Sequence, residues 1–341
     1  MNNAHVSRRL RLATVSAAAA AALALGGLTG CAADDAPAGA AADTPASAAT
    51  EGTWPRTVTV GDGDVELAAA PQRIVALSTE TADLALQLAG PERLVAVPTS
   101  ATDPSAGNQV DAAKQVEVHL ATGTSPDPEQ ILSLEPDLVI MTGRHGAEQS
   151  ASDLLAGSGV PTATFTSADF AGPLAVAESV ERMGELLGEE AAAGELSAGI
   201  AAEVDDVEAA VADAEDRPTA IVLFQRGGQK MIMGANSATT SMVEQAGGVS
   251  LAADEGWHAA VPADPETILR LDPDVIFVQD FRGAGRGPFE ELLRNPALAG
   301  VAAIEGDRVE VLDARTTSGT AGTRIGEGLR AIAAALHREL F

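Results

Sequence analysis

Tyrosine is absent from this 341-residue sequence, and cysteine occurs only once. No phenolate can serve as a metal ligand, and no intrachain disulfide can form, so the core alone must hold the fold together. Basic residues are scarce: 21 Lys and Arg face 49 Asp and Glu, for a formal net charge of −28. A surface of that sign repels nucleic acid and anionic lipid. No Gly-x-Ser-x-Gly elbow is present. The Gly-rich stretch Gly283-Ala284-Gly285-Arg286-Gly287 lacks the Lys and Ser/Thr of a phosphate loop. These absences argue against an enzyme. Beyond the N-terminal region there is no apolar run long enough to cross a membrane.

The single cysteine sits in an informative place. Arg8, Arg9 and Arg11 form a basic region, followed by an apolar stretch from Ala13 to Leu28 that is short for a membrane span. The sequence Leu28-Thr29-Gly30-Cys31 then resembles a bacterial lipobox. On this reading residues 1–30 are a lipoprotein signal peptide. Cys31 becomes the lipidated first residue, which holds the protein to the outer face of a membrane. Losing Arg8, Arg9 and Arg11 lowers the net charge from −28 to −31. Residues 31–53, rich in Ala, Asp, Pro, Thr and Ser, read as a flexible tether. Trp54 begins a folded part of about 290 residues, enough for two lobes with their own cores.

One fifteen-residue pattern occurs twice. Asp127 to Met141 returns as Asp264 to Val278, with eight identical positions and an offset of 137 residues. That offset is too long for a solenoid and right for two similar lobes. In each copy Asp-Pro-Glu starts a helix, with Asp as N-cap and Pro at the first helical position. A second Pro ends the short helix, and a buried strand follows. Each lobe thus presents one glutamate, Glu129 or Glu266, at the same helix start.

Further strands are expected at 73–77, 94–97, 162–165, 220–224, 231–233 and 309–312. Helical periodicity runs through 173–214, and an amphipathic helix closes the chain over 324–340. Alternating strands and helices imply an α/β fold with mainly parallel sheets. The expected organisation is an N-terminal lobe over 54–172, one long linking helix over 173–214 and a C-terminal lobe over 215–341. A ligand cleft lies between the lobes.

The chain resembles the substrate-binding lipoproteins of ABC importers for iron-siderophore complexes, heme and vitamin B12. The residues that carry the likeness are Pro71-Gln72-Arg73-Ile74-Val75-Ala76-Leu77-Ser78, both repeat copies, Gln245-Ala246-Gly247-Gly248-Val249 and Gly306-Asp307-Arg308-Val309. They extend over the whole mature domain. The resemblance implies a monomeric binding protein that holds its ligand in a shallow cleft and has no cofactor of its own. Its partners would be a permease and ATPase complex, and its cargo an iron chelate. Glu129 and Glu266 match the glutamates that dock on the basic face of such a permease. A ligand-sensing ectodomain without transport would use the same fold.

In parallel α/β sheets ligands bind beyond the carboxyl ends of the strands. The residues there are Thr79 and Glu80, Thr99, Arg144 and His145, Arg226, Arg282, and Arg315. Arginine suits carboxylate, catecholate or propionate groups because its planar fork donates two parallel hydrogen bonds. His119 and His258 precede the two repeat copies, in near-equivalent loops. They would be the iron ligands if the cargo were heme. Trp257 could stack on a macrocycle or a catechol ring. Ferric siderophore is the first expectation for the cargo, heme the second and cobalamin the third.

Overall fold

The computed structural model describes residues 52–61, 63–121, 126–144 and 146–341. The leader, Cys31 and most of the tether therefore lie outside the described residues, as does His145.

The first element is a hairpin of β1 (Arg56–Val60) and β2 (Gly63–Leu67). The N-terminal lobe is a five-stranded sheet in the order β5-β4-β3-β6-β7, every neighbour parallel. Its strands are β3 (Ile74–Ala76), β4 (Leu94–Pro98), β5 (Val118–Leu120), β6 (Leu138–Thr142) and β7 (Thr162–Phe165). The central strands β3 and β6 are buried at every position, as a sheet covered on both faces requires. Side chains alternate between the faces. Ile74, Ala76, Leu138 and Ile140 belong to one core cluster, while Val75, Val139 and Met141 belong to another.

The C-terminal lobe holds β8 (Thr219–Arg226), β9 (Gln229–Ile232), β10 (Val249–Ser250), β11 (Val261–Pro262), β12 (Val275–Asp280) and β13 (Val309–Asp313). The order is β11-β9-β8-β12-β13, with β10 beside the start of β8. Strands β8, β12 and β13 run parallel; β9 pairs antiparallel with both β8 and β11. The fold is α/β with one parallel and one mixed sheet.

The repeat is visible down to single atoms. Asp127 and Asp264 cap helices Pro128–Leu132 and Pro265–Leu271 by accepting backbone N–H groups of their first turns. Strands β6 and β12 follow. Glu135 and Asp272, equivalent in the two copies, both turn the chain in the left-handed region, with φ of 49° and 45°. Asp137 accepts the backbone N–H groups of Gln72 and Arg73 at 2.7 and 2.8 Å. Its counterpart Asp274 accepts the N–H of Thr219 at 2.8 Å and its hydroxyl at 2.7 Å. Each aspartate thus ties its strand to the neighbouring strand at the same level. This fixes the register that brings their carboxyl ends together.

The segment expected as one helix over 173–214 is a hairpin of two, Pro173–Leu187 and Glu190–Val211. Gly188 makes the break, with φ of 76°, a conformation that costs glycine little. The two helices touch closely: a Cβ on Gly184 would lie 2.3 Å from that of Ala193. Ser197 donates to Glu181 across the contact at 2.8 Å. The second helix makes the long connection, about 33 Å for its 22 residues. It begins on the N-terminal lobe, where Arg56 pairs with Glu190 and Arg93 with Glu189. It ends on the C-terminal lobe, where Gln245 donates to Glu208 and Arg330 pairs with Asp206. The chain closes on helix Ile325–Leu336, followed by the buried His337, whose ring bonds Ala246 O at 3.1 Å.

Candidate functional site

Because β3 and β6 are parallel neighbours, the residues that follow them meet at one edge of the sheet. Ser78 caps helix Thr79–Ala89 and places Glu80 in its first turn, 2% exposed. Arg144 follows β6, and its guanidinium pairs with the Glu80 carboxylate. Glu148 accepts the Arg144 backbone N–H at 2.8 Å. Burial pushes the Arg144 guanidinium below its usual pKa, opposed by the charge of Glu148. After β7 comes Phe170, its ring tilted against Phe165 at 5.8 Å and its Cβ 3.4 Å from where a Cβ on Gly319 would lie.

The C-terminal lobe supplies the opposite wall. Ser237, at the N-cap of helix Ala238–Gln245, follows Asn236 after β9. Strand β12 delivers Gln279 and Phe281. The Thr239 hydroxyl lies 2.9 Å from Gln279 Oε1 and 2.5 Å from the Thr317 carbonyl. Gln279 Nε2 donates to that carbonyl at 3.2 Å. Both side chains are buried, so this closed network holds Gln279 rigid beneath the cleft. Phe281 is 41% exposed, an apolar face left open to a ligand. Asp280 accepts the N–H groups of Arg282, Ala284 and Gly285, which shapes the loop beyond. Burial raises the Asp280 pKa, but these backbone donors outweigh it and hold the carboxyl below its usual value.

These walls enclose a cleft between the lobes of about 260 Å³, lined by Arg144, Phe170, Asn236, Gln279, Phe281 and Thr320 among others. Gln279 and Phe281 also line a neighbouring hollow of about 280 Å³ beside Gln225 and Arg282. Asp280 also borders a third hollow of about 460 Å³, lined by Pro104, Asp313 and Arg315 among others. Space of this order suits a small organic ligand.

Three expected residues, Arg144, Arg282 and Arg315, line this space. Arg315 is already engaged. Asp313 takes its Nε at 3.1 Å and its Nη2 at 2.6 Å, and its Nη1 reaches across the lobes to Pro104 O at 2.9 Å. Glu80 stands behind Arg144. Thr79 bonds Ser100 at 2.7 Å, and Thr99 donates to Leu120 O at 2.9 Å. The remaining expected residues are elsewhere. Arg226 ends β8 in solvent, because that strand outruns its neighbour β12. His119 lies in edge strand β5 rather than a loop, and its ring bonds Ala113 O at 3.1 Å. His258 is exposed, and its carbonyl accepts the Asn236 N–H at 3.4 Å. Trp257 packs on the C-terminal core with the Arg270 guanidinium 5.8 Å above its ring. Neither histidine nor Trp257 lines the cavities. Among the described residues no group of three His, Cys, Asp or Glu could hold a metal ion.

The sequence reasoning overlooked Phe170, Asn236 and Gln279 as lining residues. Phe170 stands between a strand and a Pro-initiated helix, the position of a crossover loop at a strand's carboxyl end. Gln279 breaks an otherwise apolar strand, a signal of a buried polar contact.

Residues 74–316 match the family model of periplasmic binding proteins. The chain belongs to that family. It is 25% identical over 310 residues, 88% of this chain and 92% of the other, to an uncharacterised ABC transporter substrate-binding lipoprotein of Bacillus subtilis. The periplasmic heme-binding protein RhuT of Roseiflexus is similar in structure, with a TM-score of 0.65 and 26% identity. That match covers 79% of this chain and 99% of RhuT. CeuE of Helicobacter pylori, solved as a nickel–histidine complex, shares the fold with a TM-score of 0.68 at 17% identity, over 84% of this chain and 89% of CeuE. The protein is the solute-binding component of an ABC transporter, a family of binding proteins and not of enzymes. No helix among the described residues is long and apolar enough to cross a membrane.

Proposed function

We propose that this periplasmic binding protein captures a ferric siderophore outside the cytoplasm and delivers it to its permease. The lining of the cleft carries the reading. It offers phenyl faces and hydrogen-bonding groups from Arg144, Asn236 and Thr320, with no histidine or cysteine among its described residues. A siderophore brings its iron already coordinated and asks only for shape, apolar faces and oxygen-directed donors. In this reading Cys31 carries the lipid anchor, Glu129 and Glu266 dock on the permease, and the protein works as a monomer. Both glutamates are exposed at equivalent helix starts, as docking requires.

Heme is the second reading. It is favoured by the 26% identity to heme-binding structures and by Met233, a cleft residue whose thioether is a known type of heme-iron ligand. Calorimetric titration with a ferric hydroxamate, a ferric catecholate, hemin and cobalamin separates the two. Heat is preferred to tryptophan fluorescence, because Trp54 and Trp257 are absent from the cavity linings. A ferric siderophore should bind at about micromolar Kd or tighter, and at least about tenfold better than hemin. Tightest binding of hemin, with a shifted Soret band, would replace the siderophore by heme.

A further inference from the structure

The cleft carries no surplus positive charge. Arg144, the one cation among the described residues lining the interlobe cavity, stands against the Glu80 carboxylate, which is 2% exposed and held in place by its helix. Arg315 is gripped by Asp313. Arg282 lies at the rim of a loop organised around the Asp280 carboxylate. Arg144 thus faces two carboxylates, Glu80 in its ion pair and Glu148, whose charge also acts on it. Arg315 and Arg282 each have one in their own loop, and the other described residues lining these three cavities are neutral. The mature chain as a whole is strongly acidic.

We infer that Glu80 is a specificity-determining residue, which cancels the charge of Arg144 and sets the cleft for an electrically neutral iron chelate, such as a ferric tris-hydroxamate, over a trianionic tris-catecholate. The inference deepens the siderophore reading and rests on it. A guanidinium has five N–H donors. With part of its fork turned to Glu80, Arg144 keeps donors free for ligand oxygens while contributing no net charge. A neutral chelate gains those hydrogen bonds without losing a large hydration energy. A trianion would give up its hydration on entering a site with no surplus positive charge, and this desolvation goes uncompensated. The acidic surface adds long-range repulsion.

The test compares a neutral ferric tris-hydroxamate with a trianionic ferric tris-catecholate, titrated by calorimetry into the parent, Glu80→Gln, and the double variant Glu80→Gln/Arg144→Gln. The parent should prefer the neutral chelate by at least about tenfold. Glu80→Gln removes one of the two carboxylates facing Arg144, makes the local charge more positive by one, and should move the affinity ratio toward the catecholate by on the order of tenfold. The double variant, again without surplus charge, should return the ratio toward the parent's. Salt provides a measurement that needs no variant. Affinity of the parent for the neutral chelate should hold constant from low salt to roughly 0.5 M. A parent that prefers the catecholate, a ratio unmoved in a folded Glu80→Gln protein, or steep salt dependence for the neutral chelate would each overturn the inference alone. Binding of neither chelate, with hemin or cobalamin bound instead, would overturn the siderophore reading and this inference with it.

Discussion

Asn108 offers the sharpest test of how the lobes are held together. It lies on the N-terminal lobe, half-buried, and its side-chain amide donates toward three carbonyls of the other lobe: Arg315 O at 3.0 Å, Ala321 O at 3.1 Å and Thr320 O at 3.2 Å. Its Oδ1 accepts from Arg324 Nη1 at 3.2 Å. An amide has two N–H groups, so one of the three carbonyls shares a donor. Asn108→Ala removes two hydrogen bonds' worth of donation and leaves the carbonyls facing an apolar methyl. Each bond contributes about 1 kcal/mol net, and stranding an acceptor costs more than that. Water can enter beside a half-buried residue, which keeps the total near the lower end, about 2–3 kcal/mol. In a protein of this size that lowers Tm by roughly 3–5 °C. Urea unfolding followed by far-UV circular dichroism measures it. Asn108→Asp keeps the size but turns lone pairs toward the carbonyls, so it should be at least as damaging. Thr323→Ala breaks only the exposed bond to Gln87 and should cost under about 0.5 kcal/mol. An Asn108→Ala protein within about 0.5 kcal/mol of the parent would refute the view that this amide fastens the lobes.

Asp83 is raised from 3.8 to about 6, mainly by burial and against the N–H donors of Asn108 and Gln109. The folded state therefore holds its proton more tightly than the unfolded state. This carboxyl favours folding at low pH, and the contribution, up to roughly 3 kcal/mol, is lost as pH rises from about 4 through about 6. Unfolding titrations should show Asp83→Asn gaining on the parent across that window; parallel curves for the two proteins would reject the assignment. Glu129→Arg with Glu266→Arg should abolish uptake while changing solution affinity for ligand by less than about threefold; an equal loss of affinity would place the glutamates in ligand binding instead. Cys31→Ala should shift the protein from the membrane fraction to the soluble one, and unchanged fractionation would remove the lipid anchor from the account.

Both lobes and their kinship were legible because the signals were local and repeated. The Asp-Pro-Glu starts, the Pro stops and the apolar strands are written in each copy, and the structure places all of them. The hairpin of β1 and β2 was not among the expected strands, although Val58, Val60, Val65 and Leu67 are buried on alternate positions around a Gly-flanked turn. The helix break at Gly188 was harder, since apolar periodicity continues on both sides. Only a second glycine, Gly184, hinted that two helices would have to touch. The site was the least legible part. Which strand ends face the cleft depends on how far each strand runs past its neighbours and on what waits beside it. Arg226 is exposed at the end of β8, where it pairs with Gln229 of β9, and Arg315 is taken by Asp313 and Pro104. Trp257 finds a core and Arg270 before it can reach a ligand.

A hinge between two lobes needs one pliable connection, and this protein has several stiff ones. One core cluster runs without interruption from Ile74 and Ile140 of the first lobe, through Val180 and Ile200 of the helical hairpin, to Val222 and Phe277 of the second. Helix Glu190–Val211 spans the lobes, and the Asn108 and Arg315 contacts tie them again at separate places. Rotating one lobe against the other would have to open that packed core and break both polar ties, a cost that ligand binding in a cleft of a few hundred Å³ must then supply. A cleft already formed avoids it, because a preorganised lining binds without first ordering itself. The buried Thr239–Gln279–Thr317 network and the Glu80–Arg144 pair serve the same end. Each holds a polar group of the cleft in one place, so under the proposed siderophore reading discrimination would lie in fixed geometry and fixed charge rather than in closure.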